Sequence, residues 1–139
     1  MSEDTFTLGA GQTLRVVETS AEELHLESTW TAGESKPPPR HLHPRQDERF
    51  EVLAGELTVE VGGEPRRVLS AGESLEVPRG TAHRMWNAGE QTARATWRVT
   101  PALRTEQMLR FIGEGMSPPR VATLLWRYRD EYRLARRPR

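Results

Sequence analysis

Apolar and polar side chains alternate along the first three-quarters of the chain, a period-two pattern that predicts β-strands. Leu24, Leu26, Ser28 and Trp30 fall on one face, with His25, Glu27 and Thr29 on the other. Phe50 and Val52 alternate with Arg49 and Glu51, and Leu57, Val59 and Val61 with Glu56, Thr58 and Glu60. Leu14, Val16 and Val17 form an earlier run and Leu75 and Val77 a later one, and Ala93, Ala95, Trp97 and Val99 close the series. Glycine and proline separate the runs. Gly62-Gly63 predicts a two-residue hairpin, and Pro78 followed by Gly80 a type I turn. Many short strands between such turns indicate an all-β sandwich or barrel.

The period changes in the last quarter. Ser117-Pro118 is a helix start, with Ser as cap and Pro in the first turn. Val121, Leu124, Leu125, Tyr128 and Tyr132 then follow a helical stripe. A shorter helix is expected around Thr105 to Ile112, ending near Gly113 and Gly115. The segment from Arg133 to Arg139 reads as frayed and basic. The domain reading is therefore a β-barrel over residues 1–103 and a helical extension over 104–139.

Length and charge narrow the classes. At 139 residues the chain suits one domain. Twenty basic residues balance twenty acidic ones, which excludes the strongly basic footprint of a nucleic-acid binder. The balance is uneven along the chain. Residues 1–103 carry 11 basic and 16 acidic side chains, and residues 104–139 carry 9 and 4. An acidic body with a basic tail suggests pairing within or between subunits. No apolar run approaches a membrane span, and the start has no secretory pattern, so a cytoplasmic protein is expected. With no cysteine, any metal must be held by His and carboxylate.

The segment His41-Leu42-His43-Pro44-Arg45-Gln46-Asp47-Glu48 carries the chemistry. Residues two apart on a strand share a face, so His41 and His43 present two imidazoles side by side. Pro44 interrupts that strand, and Glu48 then starts an antiparallel one that can return a carboxylate to the same spot. Two imidazoles and a carboxylate suit Fe, Mn, Co, Ni or Zn at an open site. His83, after the Pro78–Gly80 turn, is a fourth candidate. The remaining histidine, His25, sits on a polar face and reads as surface.

These residues resemble the two motifs of the cupin superfamily. His41, His43, Glu48 and Gly55 have the spacing of the first, and Gly72, Pro78, Gly80, His83 and Asn87 match the second. One departure is Gly33, which precedes His41 by seven intervening residues rather than five. Pro37–Pro39 reads as the insertion, in a loop at the barrel mouth. The resemblance implies a double-stranded β-helix (jelly-roll) barrel with a short helical extension. It implies one divalent transition metal on His41, His43, Glu48 and His83.

Alternation places Phe50 near Glu48, and Met85 and Asn87 near His83, with Trp30 also facing inward. Gln46 is a candidate contact for a metal-bound water. Phe50, Met85, Trp30, Gln46 and Asn87 are thus the expected substrate contacts. With no inward Lys or Arg in the pattern, a small, largely apolar or aromatic substrate that chelates the metal through oxygen is expected. Among the activities that the resemblance implies, dioxygenase-like chemistry is favoured, and the resemblance also suggests Glu48 as a base. The alternatives are an isomerase, lyase or polyketide-cyclase type of cupin, and a binding module without catalysis. A homodimer is expected, with no nucleic acid or membrane partner.

Overall fold

The computed structural model describes residues 4–9, 11–33 and 36–136. Within them, one sheet is built from β1 (Thr5–Thr7), β2 (Gln12–Thr19), β3 (Leu24–Trp30), β5 (Asp47–Ala54), β8 (Ser74–Val77) and β10 (Ala93–Thr100). The other is built from β4 (His41–Leu42), β6 (Glu56–Val61), β7 (Arg67–Ser70), β9 (His83–Trp86) and β11 (Arg133–Leu134). Helices α1 (Thr105–Gly113) and α2 (Pro118–Arg127) lie between β10 and β11. The sheet orders are β1-β2-β3-β10-β5-β8 and β11-β4-β9-β6-β7, every pairing antiparallel. This is the double-stranded β-helix.

The alternating pattern becomes the inner lining. Leu24, Leu26, Ser28 and Trp30 stand opposite Val99, Trp97, Ala95 and Ala93 across the β3–β10 ladder. Phe50, Val52, Leu57, Val59, Leu69, Leu75 and Val77 join them in one core. Burying each large apolar side chain contributes roughly 1.5–3 kcal/mol, and this drives the two sheets together. In β2 the register shifts between Val16 and Glu18, which leaves Val17 outside at 42% exposure rather than in the apolar run.

Two turns differ from expectation. Thr81 N–H donates to Pro78 O, so Gly80 is the third residue of that turn, with φ at +77°. Positive φ at that position belongs to type II, not type I. Gly62-Gly63 does not form a two-residue hairpin either. Val59 pairs with Arg67, and a longer loop joins β6 to β7. Gly55 answers to a close approach as well as to its φ of +72°: a Cβ there would lie 2.5 Å from Thr92 O.

Both helices form where expected. Ser117 Oγ accepts from Arg120 N–H and caps α2. Two details change. Val121 is exposed and the helix ends at Arg127, so only Leu124 and Tyr128 of the stripe are fully buried. The segment read as frayed includes a strand: Arg133 pairs with Leu42 and Leu134 with His41. Residues 137–139 lie outside the described residues. No described helix is long and apolar enough to cross a membrane.

Candidate metal centre

The histidines come from one sheet. His41 and His83 are direct partners across β4 and β9. His43 follows β4, its carbonyl held by Gly80 N–H at 2.9 Å. A turn at Pro44-Arg45 then carries the chain to the facing sheet, where β5 pairs with β8 and β10. Glu48 therefore reaches the histidines across the barrel, not from a strand paired beside them. The alternation of β5 turns Glu48 inward, and it is 3% exposed.

The ligating atoms of His41, His43 and His83 all lie within 4.8 Å of one another. Glu48 Oε1 is 2.8 Å from His83 Nε2 and 3.0 Å from His43 Nε2. On the far side of each ring, Nδ1 meets a backbone carbonyl: Pro39 O at 2.9 Å for His41, Glu131 O at 2.7 Å for His43, Thr81 O at 2.9 Å for His83. A carbonyl only accepts, so each Nδ1 carries a proton and, in the neutral ring, each Nε2 keeps its lone pair. Outward hydrogen bonds of this kind orient histidines at metal sites. His43 Nε2 and Glu48 Oε1 are buried without a hydrogen-bond partner of good geometry. Such atoms are costly unless something binds them. The donor set thus fits a divalent transition metal, and the three histidines can hold one.

Charge is concentrated here. Burial alone would raise the Glu48 carboxyl, but His43 and His83 outweigh it and hold Glu48 well below its ordinary range. For His43, burial works downward, yet Glu48 prevails and raises it. His41 is pushed down to about 3, first by burial and then by the neighbouring imidazoles.

The second carboxylate oxygen of Glu48 accepts from the indole N–H of Trp97 at 2.6 Å. In the sequence Trp97 reads only as a strand residue. Its signal was an inward position, because a buried indole N–H needs a partner. The tail supplies two more contacts that spacing did not indicate. These are the Glu131 carbonyl and the ring of Tyr132, stacked on His41 at 4.9 Å and 20°.

The other expected contacts divide. Phe50 stacks on Trp97 at 5.6 Å, one alternation step from Glu48. Met85 is half-buried on the face of His83 and packs against the core. Trp30 is buried in that core. Gln46 is buried rather than solvated: its Nε2 is within hydrogen-bond distance of Pro101 O, Ala102 O and Thr105 Oγ1, which fastens the start of β5 to the start of α1, and its Oε1 is buried without a hydrogen-bond partner. Asn87 lies just past β9, donates to Trp30 O and Gln91 O and accepts from Gly89 N–H, which braces a turn. His25 is half-buried, and its pKa is lowered by burial and then by Arg98. A cleft of about 430 Å³ beside β5 and β8 is lined by Glu23, Asp47, Glu48, Arg49, Glu76 and Arg98, of which Arg49 pairs with Glu76, Arg98 with Glu23 and Asp47 with Arg79.

A double-stranded β-helix with three imidazoles and a carboxylate turned into it is a cupin-type barrel. The cupin domain family model matches residues 27–99, just over half of the chain, and the chain belongs to that family. The uncharacterized protein YdbB of Bacillus subtilis is 48% identical over 44 residues, which are 32% of this chain and 39% of YdbB. Oxalate oxidase 1 of Hordeum vulgare is 38% identical over 68 residues, covering 44% of this chain and 33% of that protein. The chain therefore spans well under half of these relatives. Among solved structures, KdgF from Halomonas sp. superposes with a TM-score of 0.64 at 23% identity, covering 75% of this chain and 93% of that one.

Proposed function

We propose that this protein is a metal-dependent cupin oxidoreductase, dioxygenase-like, acting on a small substrate that chelates the metal through oxygen. The observation that carries this reading is the convergence of three Nε2 atoms and Glu48 Oε1, with all three Nδ1 atoms committed to carbonyls. Three histidines and one carboxylate would hold the ion and leave positions open on a six-coordinate metal, which supplies Lewis acidity or a redox centre. The similarity to an oxalate oxidase supports oxidoreductase chemistry on a small oxygen ligand.

The protein's own residues define the rest. Glu48, kept ionised by the histidines and steadied by Trp97, is placed to accept a proton from a substrate oxygen or adjacent carbon. Phe50, Trp97 and Met85 give the neighbourhood an apolar wall. No Lys or Arg is among the buried residues described, so a phosphate or free anionic tail would find no cation there.

The test is elemental analysis of untagged protein beside His83→Ala, followed by oxygen uptake. About one equivalent of metal, lost in the variant, is expected. Fe, Mn and Ni forms are then offered a catechol, a flavonol, a β-diketone and oxalate. Tight binding of these without turnover would replace the enzyme reading with a binding module.

A further inference from the structure

We propose that residues 131–134 form a strap that is part of the metal centre, positioning His41 and His43 so that metal binding and docking of the chain's C-terminal segment reinforce each other. The proposal rests on the metal-site reading above and extends it to a segment outside the family match.

Four contacts converge. The Glu131 carbonyl is one of the three that set the histidine tautomers, and it lies 88 residues from the ring it holds. Tyr132 covers the face of His41, the half-buried histidine of the three. β11 supplies the outer ladder of β4, which has only two residues and meets β9 on its other side. Ala135 N–H then donates to Arg40 O, next to His41. Without the strap, β4 would be a short edge with little to hold its register.

The Glu131 carbonyl is itself pinned. Glu131 N–H donates to Tyr128 O, and its carboxylate, 3% exposed, accepts from Arg104. Arg104 contributes its backbone N–H, Nε and Nη2, and Nη2 also donates to Arg127 O at 2.6 Å. Its guanidinium lies over the Tyr128 ring at 5.2 Å. Arg104 precedes α1 and touches no histidine, so it acts on the centre only through Glu131. Tyr132 and Arg104 are positioning residues in this account. If strap docking favours the metal, the metal must favour strap docking to the same degree.

The experiment uses the full chain. Metal-free protein is titrated with Co²⁺, following its visible absorption, for the wild type, Tyr132→Ala, Tyr132→Phe and Arg104→Ala, with far-UV circular dichroism as the folding control. In parallel, tryptic cleavage within residues 129–136 is timed with and without Co²⁺. Tyr132→Ala and Arg104→Ala are expected to weaken Co²⁺ binding by roughly 10- to 100-fold and to alter its absorption, the usual cost of losing support behind a ligand. Tyr132→Phe, which keeps the stacking ring, should stay near wild type. Co²⁺ should slow strap cleavage in the wild type but not in His83→Ala. Folded Ala variants that bind Co²⁺ as tightly as wild type would overturn the proposal, as would cleavage indifferent to Co²⁺. If the Ala variants fail to fold, the wild-type cleavage comparison decides. A wild type that takes up no Co²⁺ would remove the metal reading and this proposal together, whereas tight wild-type binding with unaffected variants removes the strap alone.

Discussion

Trp97 donates its indole N–H to Glu48 Oε2, so the two oxygens of one buried carboxylate have separate duties. Oε2 is tied to the wall, and Oε1 faces the histidines. Trp97→Phe keeps an aromatic ring beside Phe50 but removes the donor. The expected result is a loss of about 1–3 kcal/mol in denaturant unfolding and about tenfold weaker metal binding, with the fold retained. An unchanged metal affinity would show that Glu48 needs no such anchor.

The stability of the metal-free protein should peak near pH 6.5. His43 is raised above its ordinary 6.5. Its contribution is full below 6.5 and is lost as pH climbs through the folded value. His41 is lowered to about 3 from 6.5, so it stays neutral in the folded protein while the unfolded chain takes up a proton below 6.5. Stability therefore also falls on the acid side. Metal loading adds a contribution that needs all three rings neutral with Nε2 free, so the optimum should move above 6.5. Thermal melts from pH 5 to 8, with and without Co²⁺, check both statements; a metal-free optimum at pH 8 would contradict them.

On the outside of the second sheet, Glu60 gathers Arg40, Arg66 and Arg84 at 2.6–2.7 Å. Arg66 and Arg84 also cover the Trp86 ring at 5.1 and 5.2 Å. The Arg84 hydrogen bond first, and Arg66 after it, bring the Glu60 carboxyl down to about 2, although burial works the other way. Its contribution is present above its ordinary 4.5 and disappears as pH falls toward 2. Glu60→Gln should cost roughly 1–3 kcal/mol at neutral pH, since three guanidinium groups lose their counter-charge. Urea unfolding should show the gap between variant and wild type closing near pH 2.

Gly55→Ala tests the turn that closes the first motif. The added carbon would meet Thr92 O at 2.5 Å and Ala93 Cα at 2.8 Å, both backbone and unable to yield cheaply. With the positive φ as well, a loss of about 2–4 kcal/mol is expected in thermal or denaturant unfolding. Gly63→Ala, where nothing lies within 4 Å, is the control and should change little.

Short-range rules made much of this protein legible in its sequence. Period-two alternation marked β3, β5, β6, β8 and β10, because inward and outward side chains on a strand must differ once one face is buried, whereas β7 went unmarked. Strand geometry marked His41 and His43 as a pair sharing one face, and the resemblance to the cupin motifs added the spacings that mark Glu48 and His83 as candidate ligands. Ser117 marked the start of α2 for a local reason too, since its hydroxyl meets an N–H three residues on. What local rules could not reach was decided by long-range approach. Only the closed barrel determines that Glu48 comes from the sheet facing the histidines, that Trp97 secures it, and that the side-chain N–H groups of Gln46 and Asn87 go to Pro101, Ala102 and Thr105 and to Trp30 and Gln91. The strap is the clearest case. A backbone carbonyl carries no residue signature, and Glu131 meets His43 only after β10, both helices and β11 have each found their place.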